Sequence, residues 1–201
     1  MFIQFMEGAT SRPDALRAQL DRWVAELAPG ADGWLGSTTA IDPSGDVVLM
    51  ARFESADAAR RNSDRAEQGE WWAETEAAFD GDVRFRETED AQVMQHGDVD
   101  AATFVQVMDG RVADAAAARS LNDRAADTLR TARPDLLGSV IAYFDDGTFT
   151  EVAYFTSEAD ARAAEKSEMP PAMAEMFAEF QRLMPVDRYR DISDPMLSSP
   201  A

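Results

Sequence analysis

The chain has 201 residues, no cysteine and a formal net charge of −19, from 38 acidic and 19 basic side chains. A field of this sign repels nucleic-acid phosphates and anionic lipid headgroups, so we expect neither nucleic acid nor membrane as a partner. The lack of cysteine excludes disulfides, thiolate metal sites and cysteine nucleophiles. No secretory leader and no apolar run long enough to span a membrane is visible, which predicts a cytoplasmic protein.

The chain is a doubled unit. Residues 34–60 recur as residues 136–162 without a gap, at a constant spacing of 102. A repeat of this length predicts two similar halves, each of about 100 residues and each large enough to hold its own core. The matched pairs include Gly36 and Gly138, Gly45 and Gly147, Phe53 and Phe155, and Arg60 and Arg162.

Each half opens with a short apolar strand, Phe2–Met6 and Phe104–Met108, which carries a central glutamine. A helix follows, and its apolar residues recur at helical spacing. Two strands joined by a tight turn come next, over 34–41 and 46–54 and again over 136–144 and 148–156. The predicted helix stripes are Leu16, Leu20, Val24 and Leu27 in the first half, and Ala118, Leu121, Ala125 and Leu129 in the second.

The second helix of each half begins after a capping serine, Ser55 or Ser157. We expect these helices to be interrupted at Gly69 and at Pro170–Pro171, and to resume over 71–79 and 173–180. A last short strand then closes each half, over 83–86 and 187–190.

Strand, helix, strand, strand, helix, strand is the order of a ferredoxin-like fold, an antiparallel sheet with both helices on one side. The sequence therefore predicts an α+β protein of two βαββαβ repeats. Since helices cover only one face of each sheet, we expect the two sheets to pack face to face as an intrachain α/β barrel. The expected boundaries are 1–90 for the first repeat, 91–101 for a linker, 102–193 for the second repeat and 194–201 for a C-terminal tail, whose last four residues we expect to fray.

The chain resembles one family in four features. These are the opening strands FIQFMEG and FVQVMDG, the Gly-Ser strand with its hairpin, the Phe-x-Ser-x-x-x-Ala entry to the second helix at Phe53 and Phe155, and the break in that helix. The family is the dimeric α/β-barrel superfamily, in its antibiotic-biosynthesis-monooxygenase-like branch. The resemblance implies a tandem fusion, in which one chain forms the pseudo-dimer that two subunits usually form. We expect a monomeric pseudo-dimer or a homodimer.

Members of that superfamily include cofactor-free oxygenases of aromatic polyketides, dehydratase-like enzymes and haem-degrading enzymes. The haem-degrading members use an asparagine on the first strand and a tryptophan and a haem-ligating histidine on the second helix. Here the first strands carry Gln4 and Gln106, and the one histidine, His96, falls in the predicted linker. We therefore expect no haem, no other cofactor and no metal.

A cofactor-free oxygenase needs an apolar cavity for a planar phenol-like or quinone-like substrate, a group that stabilises its anion, and exclusion of water. The resemblance and the residue types place this site in the first half. The alternative is that Trp71 and Trp72 simply pack between helix and sheet. The candidates are Asn62, Trp72 and Arg86 as catalytic residues, and Gln4, Trp71 and Arg52 as substrate-binding residues.

The second half differs at these positions and offers Gln106, Tyr143, Glu151 and Tyr154. Glu151 occupies the apolar face of its strand, so it is either buried with a shifted pKa, or at the mouth of a pocket, or a polar residue at a sheet edge. Two functions stay open. One is a cofactor-independent monooxygenase acting on a small hydrophobic or aromatic molecule, and the other is a non-catalytic ligand-binding or scaffold module.

Overall fold

The computed structural model of the chain describes residues 1–200, with the backbone alone at residue 172, and it divides into two compact units. The first unit comprises Met1–Glu89 together with the C-terminal residues from Pro195 onward, and the second comprises Asp90–Asp194. The chain therefore leaves the first unit once and returns to it near its end.

The first 89 residues fold in the predicted order. The helix after β1 ends in a turn of π-helix, Trp23–Leu27, and a turn of 3₁₀ helix, Ala28–Gly30. The elements are β1 (Phe2–Ala9), α1 (Pro13–Arg22), β2 (Trp34–Ile41), β3 (Asp46–Phe53), α2 (Ala56–Ser63), α3 (Ala66–Glu76) and β4 (Arg84–Thr88).

The remaining residues repeat this order and add a short strand at each end. The elements are β5 (Ala91–Gln95), a 3₁₀ turn (Val99–Ala101), β6 (Phe104–Arg111), α4 (Ala115–Ala132), β7 (Leu136–Tyr143), β8 (Thr148–Phe155), α5 (Glu158–Lys166), α6 (Pro171–Leu183), β9 (Val186–Ile192) and β10 (Met196–Ser198).

Among residues 1–200, each unit holds one five-stranded antiparallel sheet. The strand order is β10-β2-β3-β1-β4 in the first unit and β5-β7-β8-β6-β9 in the second. Four adjacent strands of each sheet, in the orders β2-β3-β1-β4 and β7-β8-β6-β9, have the ferredoxin-like arrangement, so the α+β fold with two βαββαβ repeats is confirmed. The hairpin glycines recur as well: Gly45 and Gly147 occupy the same place in the two hairpins, and both adopt positive φ, at 88° and 78°.

The fifth strand of each sheet is the feature that the sequence did not predict. Residues 91–95 were expected to be a linker, yet they form β5 and pair with β7. Residues 196–198, expected to belong to a C-terminal tail, form β10 and pair with β2. In both places an edge strand has unpaired backbone donors and acceptors that a short neighbouring segment satisfies. Segments of five and three residues are too short to carry a clear alternation of apolar and polar side chains.

The second helix of the first unit is interrupted at a different place from the one predicted. The break lies at Asp64–Arg65, and Gly69 sits inside α3. Arg65 has extended backbone angles, and its guanidinium donates hydrogen bonds to the Leu27 carbonyl (3.0 Å) and to Oδ1 of Asn62 (2.9 Å). These bonds fix the break, while an exposed glycine inside a helix costs only about 1 kcal/mol. In the second unit the helix is interrupted between Lys166 and Pro171, and α6 begins two residues before the predicted start at Met173.

The predicted stripe of α1 fails at Val24, which is 39% exposed. The cause is the π-helix that begins at Trp23, because a π turn takes up one more residue than an α turn and rotates the following side chains. Trp23 is buried where Val24 was expected. The serine caps are confirmed, since Ser55 Oγ accepts from the Ala58 N–H (3.2 Å) and Ser157 Oγ from the Asp160 N–H (3.1 Å).

A chain that ends at Asp194 tests the role of β10. Its loss exposes the edge of β2 and the half-buried Met196, which packs against the core of the first unit. We expect the first unit to lose about 1 to 2 kcal/mol of unfolding free energy. Because all four tryptophans lie in residues 1–89, thermal unfolding followed by tryptophan fluorescence reports on this unit. A chain that ends at Ser198 is the control, and equal melting temperatures for the two truncated chains would contradict the prediction.

Candidate functional site

Strand alternation divides the side chains of each sheet between a face that packs on the helices and the opposite face. On the helix side of the first sheet, Gln4 lies opposite Ala51, and Met6 lies opposite Leu49. The second sheet repeats this pattern with Gln106 opposite Ala153 and Met108 opposite Glu151. In both units these residues form the floor of a cavity between sheet and helices.

The cavity of the second unit has a volume of about 1070 Å³. Its floor comes from β6, β7 and β8, its walls from α4 and β5, and its roof from α5 and α6. Most of the lining is apolar and rich in methionine, which adapts its shape readily to a ligand. The apolar lining includes Met94, Met108, Leu121, Leu129, Ile141, Phe155, Met173, Met176, Phe177 and Phe180.

Glu151 is the ionisable group on the floor of this cavity. Its side chain lies between Met108 and Ile141 on the neighbouring strands, and the residue is only 9% exposed. Burial raises the pKa of Glu151 to about 7, and a hydrogen bond from the Ser139 hydroxyl partly opposes that rise. A carboxyl group with this pKa takes up and releases protons near neutral pH, as a general base must.

A network of amides and one phenol supports the wall next to Glu151. The Tyr143 hydroxyl donates to Oε1 of Gln92 (2.7 Å) and accepts from Nδ2 of Asn122 (3.1 Å). Burial raises the pKa of Tyr143 to about 12, so this hydroxyl stays protonated. Tyr143 itself lies behind the cavity, whereas Gln92 and Asn122 line it. The phenol therefore holds the amides of Gln92 and Asn122 in place on the cavity wall.

Tyr189 stands at the edge of the floor, opposite Met108 on the next strand. Burial, with the nearby carboxylates of Glu151 and Glu165, raises its pKa. The side chain is 57% exposed, which places it at the mouth.

The charged residues at the cavity are almost all acidic. Among the described residues that line it, Arg133 is the one basic side chain, and it is paired with Asp135 at 2.7 Å. The acidic side chains leave a negative field at the entrance, which opposes entry of an anion. The carboxylates that line the cavity besides Glu151 and Asp135 are Asp123, Asp160, Glu165 and Glu168.

The first unit holds a smaller cavity of about 610 Å³ at the equivalent place. Three tryptophans line it, and they form one aromatic cluster in which the ring centroids of Trp23 and Trp71 are 6.2 Å apart and those of Trp71 and Trp72 are 5.9 Å apart. Trp71 is buried and donates its indole N–H to the Gln19 carbonyl (2.8 Å), whereas Trp72 is half-buried. Trp71 is therefore both core and cavity wall.

The repeat explains the difference in size. The spacing of 102 residues aligns Trp23 with Ala125, and the shifted spacing of the last helix aligns Trp72 with Met173. All four of these side chains line their respective cavities. Smaller side chains on the second set of helices leave the space that indole rings fill in the first.

Exposed apolar side chains are concentrated at these two places. Among residues 1–200, the large hydrophobic side chains that remain exposed all line one cavity or the other. Such patches are characteristic of ligand and partner sites. They are Val24 and Phe85 at the first cavity, and Val93, Met169, Phe177 and Tyr189 at the second.

The six first-half candidates do not form one site. Gln4, Asn62, Trp71 and Trp72 all line the first cavity. Arg52 and Arg86 lie on the opposite face of the sheet, because Arg52 pairs with Ile3 and Arg86 with Phe5. Arg86 contacts Glu7 at 3.6 Å, and Arg52 donates to the Leu35 carbonyl at 3.4 Å.

Two of the polar candidates are also held by protein partners. Oδ1 of Asn62 accepts from Arg65, and Nε2 of Gln4 donates to Oε1 of Glu87 at 2.6 Å. The second unit repeats the latter bond between Gln106 and Asp191 at 2.8 Å. These bonds fix the strands and the helix break.

The second-half candidates divide in the same way. Gln106 and Glu151 line the second cavity, and Tyr143 supports it from behind. Tyr154 pairs with Val105 on the opposite face and is fully buried there. Strand alternation could have excluded Arg52, Arg86 and Tyr154 as cavity residues. Each is the immediate neighbour in its strand of a residue that faces the helices, so each faces the opposite side of the sheet.

Sequence reasoning did not identify Ser139, Asn122, Tyr189 and the methionines of α6 as cavity residues. Asn122 and Tyr189 could have been found from the repeat. Asn122 aligns with Leu20, and Tyr189 has the same pairing position as Phe85. At each of these two positions the second half has a polar side chain where the first half has an apolar one, and this difference indicates a candidate functional residue.

The described residues contain no cluster of three or more histidine, cysteine, aspartate or glutamate side chains arranged to hold a metal ion. Within residues 1–200 we also found no helix with the length and apolarity needed to cross a membrane.

Solved structures with this architecture come from several bacteria. The protein named "putative monooxygenase" from Lactobacillus acidophilus has a TM-score of 0.74 at 13% identity, covering 98% of this chain and 95% of its own. A protein of the same name from Fusobacterium nucleatum has a TM-score of 0.76 at 8% identity, covering 100% of this chain and 94% of its own. An anthrone oxidase-like protein has a TM-score of 0.65 at 8% identity, covering 98% and 92%.

The chain shares the fold of these proteins. Identities this low carry the fold and not the reaction. No protein-family model and no curated protein matches the sequence.

The buried Glu151 carboxyl predicts a specific dependence of stability on pH. An unfolded glutamate titrates near 4.5, and burial raises the pKa of Glu151 to about 7. The folded state therefore binds more protons between these values, so this group favours folding at low pH and the advantage is lost as pH rises through about 7. At pH 8 the ionised carboxylate destabilises the fold by up to about 3 kcal/mol relative to low pH.

Glu151→Gln removes this titration while keeping the size of the side chain. We expect the unfolding free energy of the variant, relative to the parent, to increase steadily from pH 5 to pH 8. Urea denaturation across that range measures the difference. Parallel pH profiles for the two proteins would show that Glu151 titrates normally.

Proposed function

We propose that the protein binds an uncharged aromatic molecule in the cavity of the second unit and oxygenates it with molecular oxygen, without a cofactor. The observation that carries this proposal is Glu151, a buried proton acceptor with a pKa of about 7 on the floor of a cavity whose lining is mostly apolar. Support also comes from the shared fold, since the similar structures include a protein named "putative monooxygenase" and an anthrone oxidase-like protein.

The cavity suits a planar ligand of several rings. Its volume of about 1070 Å³ is at the upper end of the range for small-molecule sites. Methionine and phenylalanine side chains pack well against flat aromatic faces. Asn122 places an amide group on the wall, where a ligand hydroxyl group can meet it, whereas the amide of Gln92 is already bonded to protein groups.

Glu151 can start the reaction of a substrate whose C–H bond is acidified by flanking rings and a carbonyl group, as in an anthrone. The carboxylate takes the proton, and the substrate becomes a carbanion that reacts with oxygen to give a peroxide anion. This anion takes the proton back from Glu151 and becomes a hydroperoxide, so the carboxylate is restored. Loss of one water leaves a quinone carbonyl, so one oxygen molecule is consumed and reduced as the CH₂ group is oxidised. The cavity gains no net charge in the first step, because Glu151 becomes neutral as the substrate becomes an anion.

Oxygen uptake with anthrone as substrate tests the proposal. Glu151→Gln should lower kcat by roughly 10²-fold or more, since a positioned general base contributes about that much. The control is Trp72→Phe, which changes the first cavity only and should keep kcat within about twofold of the parent.

Two outcomes would contradict this assignment. Loss of turnover in Trp72→Phe with full activity in Glu151→Gln would place the reaction in the first unit. Tight binding of anthrone with no oxygen uptake would favour the non-catalytic ligand-binding module, whose cavity would be the same.

The pH and charge dependence of the reaction follow from the same groups. Because Glu151 acts as a carboxylate, kcat/KM should rise with pH and level off above about 7.

Because acidic side chains surround the mouth, a carboxylated anthrone should bind at least about tenfold more weakly than anthrone at low salt, and added salt should reduce this difference in affinity. Equal affinities at low salt would show that the acidic mouth does not select the ligand.

A further inference from the structure

The structure assigns a second ligand site to this chain: the cavity of the first unit binds an uncharged planar aromatic molecule and holds it without reaction. This site is separate from the proposed oxygenation site and does not depend on it. The chain then carries two cavities of common origin and different chemistry.

The first cavity has the size and lining of a ligand site. Its volume of about 610 Å³ lies within the usual range for small-molecule pockets and accommodates roughly three fused rings. Trp23, Trp71 and Trp72 supply aromatic surface, and the exposed ring of Phe85 extends it at the mouth, with its centroid 5.3 Å from that of Trp72. A flat apolar molecule that covers this exposed apolar surface removes it from water, and that burial favours binding.

Several polar groups around the first cavity are engaged by other groups of the protein. Gln4 donates to Glu87, Asn62 accepts from Arg65, and Ser37 accepts the indole N–H of Trp34 at 3.0 Å. Among the described residues of the lining, Asp21 is the one charged side chain. A ligand therefore gains mainly apolar and stacking contacts, which favours an uncharged molecule.

The comparison with the second unit shows why this site does not react. Leu49 occupies the floor position of Glu151, since each pairs with the methionine of the first strand in its own sheet. Phe85 likewise occupies the position of Tyr189. Both ionisable groups of the second floor are thus replaced by apolar side chains, and the first cavity has no proton acceptor beneath a bound ligand.

The four tryptophans make this site directly observable. They all lie in the first unit, and three of them line its cavity, so their emission reports directly on this cavity. We would titrate the full-length protein with 9-fluorenone, an uncharged planar ketone of three rings that quenches indole emission. The expected result is saturable quenching of most of the tryptophan fluorescence.

A matched pair of variants separates the two cavities. Ala51 and Ala153 occupy equivalent floor positions, each opposite the glutamine of the first strand. Ala51→Leu fills space in the first cavity and should raise the apparent Kd for fluorenone about tenfold or more, while Ala153→Leu fills the second and should leave quenching unchanged. Near-ultraviolet circular dichroism of each variant checks the fold. Ala51→Val, with a smaller added volume, should give an intermediate Kd if Ala51→Leu is destabilised.

Three results would overturn the inference. Quenching that rises linearly without saturation, as it does for free N-acetyltryptophanamide, would mean collisions and no site. Equal weakening by Ala51→Leu and Ala153→Leu would mean that the ligand does not distinguish the cavities. Unchanged affinity in a folded Ala51→Leu variant would place the ligand outside the first cavity.

Discussion

The alternation of side chains along each β-strand is the constraint on which both cavities depend. Every second residue of a strand faces the helices, so a floor position is set once the register of β1 with β3, or of β6 with β8, is fixed. Leu49 and Glu151 share one floor position because the two registers are the same. A shift of one residue would replace the whole floor with residues of the opposite face.

The helices determine how much space remains above each floor. Indole rings from Trp23 and Trp72 occupy the first unit, and Ala125 and Met173 leave room in the second. Each cavity is also closed on one side by residues of a short edge strand or its flank, β10 in the first unit and β5 in the second. β10 pairs with β2 and β5 pairs with β7, and both partner strands lie far away in the sequence. This wall of each cavity therefore forms only when the chain is folded.

Much of the fold could be predicted from the sequence because the repeat reports the same elements twice. The hairpins and serine caps depend on local residues such as Gly45, Gly147, Ser55 and Ser157, and local signals are readable. The edge strands and the break at Arg65 could not be predicted, because both depend on hydrogen bonds to residues far along the chain. Pairing at a sheet edge leaves little trace in three to five residues of sequence.

The candidate site was predictable only in part, for a related reason. Residue type favoured the first unit, where tryptophan and asparagine resemble the residues of known oxygenases, whereas cavity size and pKa depend on what surrounds a residue. Glu151 illustrates the point: its sequence position shows an acid among apolar residues, but its raised pKa follows from burial between Met108 and Ile141. After duplication, one substitution on a common floor is enough to add a proton acceptor to one copy, while bulky side chains above the other floor preserve an aromatic cavity without one.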